Sequence, residues 1–350
     1  MSKHVMWMAC AAVIATSSCD KSELTESVTP QTIRFDGHAN KVSKALNAPV
    51  QGDNFAVFGH YKNVSDQSTG AVFTNDKVEF TTAWQYTTAN GETVSPNGVA
   101  WVPAYHYIFA AYSPYKTDPN PTVVFEEDNT VKYNLGEITL DQANQADYMT
   151  SDPEVVTAGS AKGVVRFTFS HIASRLNFKF KLTDDWVSGV TIKIGKVEVV
   201  GVSPTNTYNN NTWGTEKEGF TDFLFATDAT GTAKLTDSLT VAKGGVTTVE
   251  LPTSIYVVPQ VVQAKVIVYG DIYHDVVGAG ESITRQKKSF SATAFLNADP
   301  TIVNWSKNTA YTYTFNLPHL LWEVAQYITF GVTTVNGWGA TGDASMDMHK

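Results

Sequence analysis

Apolar and polar residues alternate along this chain in short runs that are separated by Gly, Pro, Asn and Asp. A period of two sends successive side chains to opposite faces of an extended backbone, so each run predicts a half-buried strand. In the first half the runs fall at 32–35, 54–61, 71–73, 78–80, 84–86, 105–112, 122–125 and 131–135. Tyr105, Tyr107, Phe109 and Ala111 share one face of theirs, and Pro114, Pro119 and Pro121 punctuate the loop that follows. From Asp152 to Gly163 small and turn-forming residues gather without periodicity, which marks a boundary near residue 160. Runs resume at 164–169, 175–182, 190–200, 223–225, 246–251, 254–258, 263–269, 285–292, 311–317 and 327–335. Only 318–326 suits a short helix. Many short strands at this spacing predict an all-β chain of sandwiches rather than a parallel sheet. A length of 350 residues accommodates two domains of roughly 100–200 residues each, here 32–160 and 161–350.

The first residues do not belong to that pattern. Lys3 supplies one positive charge, and positions 5–15 are then apolar through Met6, Trp7, Met8, Val13 and Ile14. This run is much shorter than the ~20 residues of a membrane-spanning helix and is followed by Thr16-Ser17-Ser18, as in a secretory signal peptide. Cys19 comes next, in the arrangement of a bacterial lipoprotein signal, where the thiol takes a diacylglyceryl group and becomes the new N-terminus. Cys10, the other cysteine, lies inside the removed segment, so the mature chain is expected to form no internal disulfide. The expectation is a signal peptide at 1–18, a lipid anchor on Cys19 holding the protein to the outer membrane, and a flexible tether at 19–31.

Composition narrows the choice of partners and chemistry. Charged residues make up 17% of the chain and the formal net charge is −9. Nucleic acid is excluded as an expected partner, because phosphate binding needs clustered Lys and Arg. The motifs HExxH, GxSxG, a phosphate loop and CxxC are absent. Eight histidines stand at 4, 38, 60, 106, 171, 274, 319 and 349 with none at metal-ligand spacing, so no metal or other cofactor is expected. Three local features carry chemistry as a second reading. His171, among apolar strand residues, reads as a satisfied core histidine before it reads as a general base. Tyr273-His274-Asp275 with Glu281 reads as a solvated hairpin loop before a cation site. Trp84, Tyr86, Trp101, Tyr105 and Tyr107 read as core before a sugar-stacking platform. Near the C-terminus Ile328, Phe330 and Val332 point one way and Thr329, Gly331 and Thr333 the other. This fits a closing strand of the second domain, and equally a strand able to leave and complete another subunit's sheet.

Taken in order, several blocks resemble the fimbrillin family, subunits of the type V pili of Gram-negative anaerobes. They are Ile33-Arg34-Phe35, Gly52-Asp53-Asn54-Phe55-Ala56-Val57-Phe58-Gly59, Trp101 with Tyr107-Ile108-Phe109-Ala110-Ala111-Tyr112-Ser113-Pro114, and Gln145-Ala146-Asp147-Tyr148-Met149. The most specific is Phe167-Thr168-Phe169-Ser170-His171-Ile172-Ala173-Ser174-Arg175-Leu176. Tyr256-Val257-Val258-Pro259-Gln260, Trp305 with Tyr311-Thr312-Tyr313-Thr314-Phe315, and Ile328-Thr329-Phe330 with Trp338 complete the series. The resemblance implies two tandem transthyretin-like β-sandwich domains, export as a lipoprotein, and proteolytic removal of the first strand. A neighbour's strand then fills the vacated groove, giving a homo- or heteropolymer at the cell surface that adheres to a host or bacterial ligand. Family members are cut after an arginine shortly before the glycine-aspartate element. Here Lys44, followed by Ala45, holds that place. A lysine-specific protease, use of Arg34, or an uncut base or accessory subunit all remain open. The alternative reading is a surface glycan-binding lipoprotein with an aromatic face, and neither reading makes the chain an enzyme.

Overall fold

Each predicted run coincides with or overlaps an observed strand, and helix among the described residues is confined to one turn, Leu320–Glu323. The computed structural model describes residues 32–39, 51–87, 93–94, 98–117, 121–160, 163–214, 219–226, 233–235, 238–277, 283–298, 301–323 and 331–337. The chain is all-β.

The first half builds one large sheet. Its order is Arg34–Ala39, Val164–His171, Met149–Ser151, Tyr105–Ser113, Asn54–Asn63, Thr69–Phe80, Trp84–Thr87 and Thr93–Val94, with Glu154–Val156 also on Tyr105–Ser113. The sheet curls so that Arg34–Ala39 comes near Trp84–Thr87, and beyond the strands the Ile33 amide donates to the Val99 carbonyl at 2.8 Å and Thr32 bridges to Ala100. Both faces of the central strands are buried. Phe55, Val57, Phe109 and Ala111 enter the interior core with Ile33, Phe35, Phe73, Phe167 and Phe169. Ala56, Phe58, Ala110 and Tyr112 face a second core with Tyr133, Leu135, Ile138 and Leu140. Double burial explains why 54–58 and 107–112 read as nearly continuous apolar runs.

The second half is a sandwich. One sheet runs Thr248–Glu250, Ser174–Leu182, Thr309–Leu317, Gly331–Gly337, and the facing sheet runs Ala233–Lys234, Thr221–Ala226, Val190–Val202, Lys265–Val277, Ile283–Phe295. Leu176, Phe178, Phe180 and Leu182 meet Val190, Ile192, Ile194, Val197 and Val199 across one core. The pairing with Lys265–Val277 slips between Ile194 and Lys196. This bulge at Gly195 re-phases the alternation, so that Ile194 and Val197, three apart, both point inward.

Three expectations change. The runs 71–73 and 78–80 form one strand, Thr69–Phe80. Asn75 sits inside it at φ 57°, a left-handed conformation that Asn tolerates, and its side chain accepts from Tyr112 Oη at 2.8 Å and donates to the Lys116 carbonyl at 3.0 Å. Tyr273-His274-Asp275 is not a loop but part of the 13-residue strand Lys265–Val277, paired residue for residue with Ile283–Phe295. Its polar residues form the outer face, where Asp275 pairs with Arg285 at 3.0 Å and Asp271 with Lys287 at 3.0 Å. Finally, Val164–His171 lies beyond the boundary expected near residue 160, yet it belongs to the first sheet, parallel to Arg34–Ala39 and antiparallel to Met149–Ser151. The change of sheet comes at Ile172–Ala173. The small-residue stretch before it is a turn, with Gly159 at φ 75° and its amide bonded to the Pro103 carbonyl at 2.9 Å.

The two halves share material at that crossing. Ile172, Ala173, Tyr208 and Val258 complete the second core of the first half, and Gly136–Thr139 pairs with Thr205–Asn209. Two glutamines stand in for strand neighbours. Gln142 accepts from the Leu224 amide at 3.0 Å and donates to its carbonyl at 2.7 Å. Gln145 accepts from the Tyr256 amide at 2.7 Å and donates to its carbonyl at 3.1 Å. Removing such an amide leaves a backbone donor and acceptor without their partners. Gln145→Ala is therefore expected to lower unfolding stability by about 1–3 kcal/mol, read as a reduced urea midpoint with the denaturant slope unchanged; a midpoint equal to wild type would show that the clamp contributes nothing.

Candidate functional site: the groove of the first strand

The first strand, Arg34–Ala39, comes first in the strand order of the large sheet and runs parallel to Val164–His171, with Arg34 opposite Val164 and Ala39 opposite Phe169. Its alternation decides what it does. Ile33, Phe35 and Gly37 turn inward, while Arg34 is exposed. Ile33 is fully buried and Phe35 is 4% exposed.

The site that receives them is built from aromatic rings on four strands. Phe35 meets Phe73 edge-on at 5.0 Å and Phe109 at 5.9 Å, and stacks on Phe167 at 5.9 Å. Edge-on and offset rings are the favourable arrangements, because the positive ring edge meets the negative face. Gly37 lies against the rings of Phe169 and Phe55. On the outer face Asp36 and Arg166 are 3.6 Å apart, with Arg166 well exposed. Deeper in the barrel-like interior, Tyr107 accepts from the Val102 amide at 2.9 Å, and burial pushes its phenol above the usual range, so it stays neutral.

The residues singled out from the sequence separate clearly. Trp101 is buried, edge-on to Tyr107 at 5.1 Å and Phe109 at 5.9 Å. Trp84 is half-buried against Phe55 at 5.0 Å and Phe80 at 5.3 Å, and Tyr105 stacks on Tyr61 at 4.3 Å. These aromatics pack the core rather than form a platform; the side chain of Tyr86 lies outside the described residues. His171 is buried and its Nδ1 is 2.7 Å from Asp147 Oδ1, which fixes the end of the strand at the crossing between sheets. His274 lies edge-on to Trp322 at 5.8 Å. Among the described residues no three His, Cys, Asp or Glu side chains could hold a metal ion. Cys19, Lys44, Ala45, Glu281, Ile328 and Phe330 lie outside the described residues. Val332 belongs to Gly331–Gly337, opposite Tyr313, at the end of the sheet order in the second half.

Comparison with known proteins places this geometry. Residues 44–338 match the fimbrillin-like family. The chain belongs to the fimbrillin-like family. Among solved structures it is similar to a candidate cell adhesion protein from Bacteroides ovatus, with 17% identity and a TM-score of 0.52 over 89% of this chain and 99% of that one. It is also similar to a fimbrial protein from Bacteroides vulgatus, with 16% identity and a TM-score of 0.51 over 87% of this chain and 99% of that one. At such identities the likeness is one of fold. No curated protein matches the chain. Family membership assigns this fimbrillin-like chain a structural rather than an enzymatic role at the cell surface.

The resemblance implied a groove under the first strand, but its lining was not legible in the sequence, because alternation gives the face of a strand and not its neighbour; Ile33-x-Phe35-x-Gly37 shows apolar positions but not that they close an aromatic interior. Phe35→Ala is expected to cost about 3–5 kcal/mol in unfolding stability, accompanied by loss of amide protection along Val164–His171. Asp36→Asn, on the outer face, should stay within about 0.5 kcal/mol of wild type. Equal losses for the two variants in urea titrations would refute this division of the strand into an anchoring and an idle face.

Proposed function

We propose that this fimbrillin-like chain is a pilus subunit in which the first strand is a removable plug, released by proteolysis and replaced by a strand of a neighbouring subunit. The observation that carries the proposal is the position of Arg34–Ala39: it pairs along Val164–His171 at the end of the sheet order, yet supplies Ile33 and Phe35 to the closed interior. Residues 40–50 connect it to the rest of the sheet, and the family match begins at residue 44, beyond it. Burial of two such side chains contributes about 1.5–3 kcal/mol each, and the backbone ladder adds to that. While the connection is intact the strand is held at a high effective concentration, which a free competitor cannot match. A cut removes that advantage.

Lys41 and Lys44 both lie in the connecting segment. Arg34 lies within the strand opposite Val164, so cleavage there requires the strand to leave its ladder first. The rest of the reading extends the same assignment: two transthyretin-like domains dividing near residues 172–173, a lipid on Cys19 anchoring the subunit to the outer membrane, and Gly331–Gly337 with the residues before it as the strand offered to a neighbour. The burial of Trp101 gives a glycan-binding aromatic face no support.

The test is limited trypsin digestion of the protein without residues 1–19, followed by size-exclusion chromatography with light scattering and N-terminal sequencing. A new start at Val42 or Ala45 together with a ladder of oligomers is expected, and replacing Lys41 and Lys44 with Ala should abolish both. A clean cut that leaves a stable monomer would sink the proposal.

A further inference from the structure

The inner face of the first strand has a third position, and it is the most restrictive. An atom added as Cβ on Gly37 would lie 2.9 Å from Phe169 Cε2 and 3.0 Å from Phe55 Cε1. Both rings are themselves buried, at 3% and 1% exposure, and packed 5.5 Å from each other. Phe55 is held further by Trp84 at 5.0 Å and by Phe167 at 5.8 Å. Rings confined on several sides cannot give way to a side chain without repacking the interior, and overpacking of this kind is destabilising. The groove therefore accepts a branched aliphatic residue, then an aromatic one, then glycine, at alternate positions. A one-residue slip is no remedy, since it would turn the whole inner face outward.

This rule can be held against the chain's own candidate donor. Ile328-Thr329-Phe330-Gly331-Val332 matches the first two positions and puts Val332 where Gly37 stands. Moving the frame so that glycine occupies the third position gives Tyr327, Thr329, Gly331 or Thr333, Val335, Gly337, and each leaves the place of Phe35 to a residue without a ring. Across the whole sequence, Ile, Val or Leu followed at alternate positions by an aromatic residue and glycine occurs at 33–37 and nowhere else, in either chain direction.

We infer that the groove of this subunit, once vacated, selects a donor strand from a different subunit, one carrying a branched aliphatic residue, an aromatic residue and glycine at alternate positions, and discriminates against a second copy of this chain. The inference rests on the strand-exchange reading above and specifies its partner. It makes this subunit a point of hetero-assembly. Glycine at the third place acts as a filter, because any other residue brings the Cβ that the two rings exclude.

The experiment uses the full chain with a protease recognition sequence built into residues 40–50. After cleavage, three fluorescent peptides compete for the groove: residues 31–39, the same peptide carrying Gly37→Val, and residues 326–337. The first peptide is expected to be captured, and the other two at least about tenfold more weakly. Capture of the valine peptide or of the tail peptide as strongly as the first would overturn the filter while leaving strand exchange intact. Failure to capture any of the three, the native peptide included, would overturn strand exchange itself, and the inference with it.

Discussion

The interior of the first sheet is closed by one ring. Phe35 touches Phe73, Phe109 and Phe167, which come from three other strands, and without it those rings would face a channel open to water. Exposed apolar area of that size is costly, at roughly 25 cal/mol per Å². The sheet therefore needs something in the place of the first strand at all times, although no chemical bond in the interior requires that it be this strand. A fold that must be filled, with a filler reached through residues 40–50, is the arrangement that the strand-exchange proposal requires. Under the strand-exchange proposal the remainder would have to keep its arrangement while that one strand is replaced.

That arrangement depends on the crossing between the halves. Three of the sequence blocks that carry the family resemblance converge there: Gln145 clamps the backbone of Tyr256, Asp147 meets His171, and the Ile172 amide donates to the Tyr148 carbonyl at 2.9 Å. The indole of Trp213 donates to the Ile172 carbonyl at 2.7 Å. These are polar contacts in partly buried surroundings, where a broken partner costs more than an intact pair contributes. Such contacts specify one relative placement of the sheets more sharply than apolar packing alone. Under the strand-exchange proposal, a fixed crossing would hold the sheet that carries Gly331–Gly337 in constant relation to the groove of the first strand.

The sequence made the strands legible and left their partners obscure. Period two located Val164–His171, but a face is not a neighbour, and the loss of periodicity at 152–163 suggested a domain boundary where Glu154–Val156 still pairs within the first sheet and a turn at Gly159 follows. Composition misled at 273–275, because a polar outer face in a twisted hairpin carries the same residue types as a loop; the cross-strand pairs Asp275–Arg285 and Asp271–Lys287 are visible only once the register is known. Asn75 interrupted its strand for the same reason: a left-handed residue looks like a turn until Tyr112 is seen to satisfy it. Gln142 carried no local signal, and Gln145 stood out only as the start of a family block and not as a clamp, since a glutamine that imitates a strand is indistinguishable in sequence from one in solvent. The burial of Trp101, by contrast, followed from its place among the alternating aromatics.

Gly37 shows how far such reasoning reaches. In sequence a glycine after Arg-Phe-Asp invites reading as a turn, and in the structure it is an ordinary strand position whose importance lies wholly in what presses on it. The intact chain accommodates the close approach of these rings because Gly37 brings no Cβ, and its strand, being covalently attached, reaches the groove ahead of any competitor. On the strand-exchange proposal a neighbour's strand would arrive without that advantage, so fit would have to replace proximity, and a position where one missing atom decides fit would become a determinant of partner choice. The same close packing that stabilises the intact chain would thus limit which strand could take the place of its first.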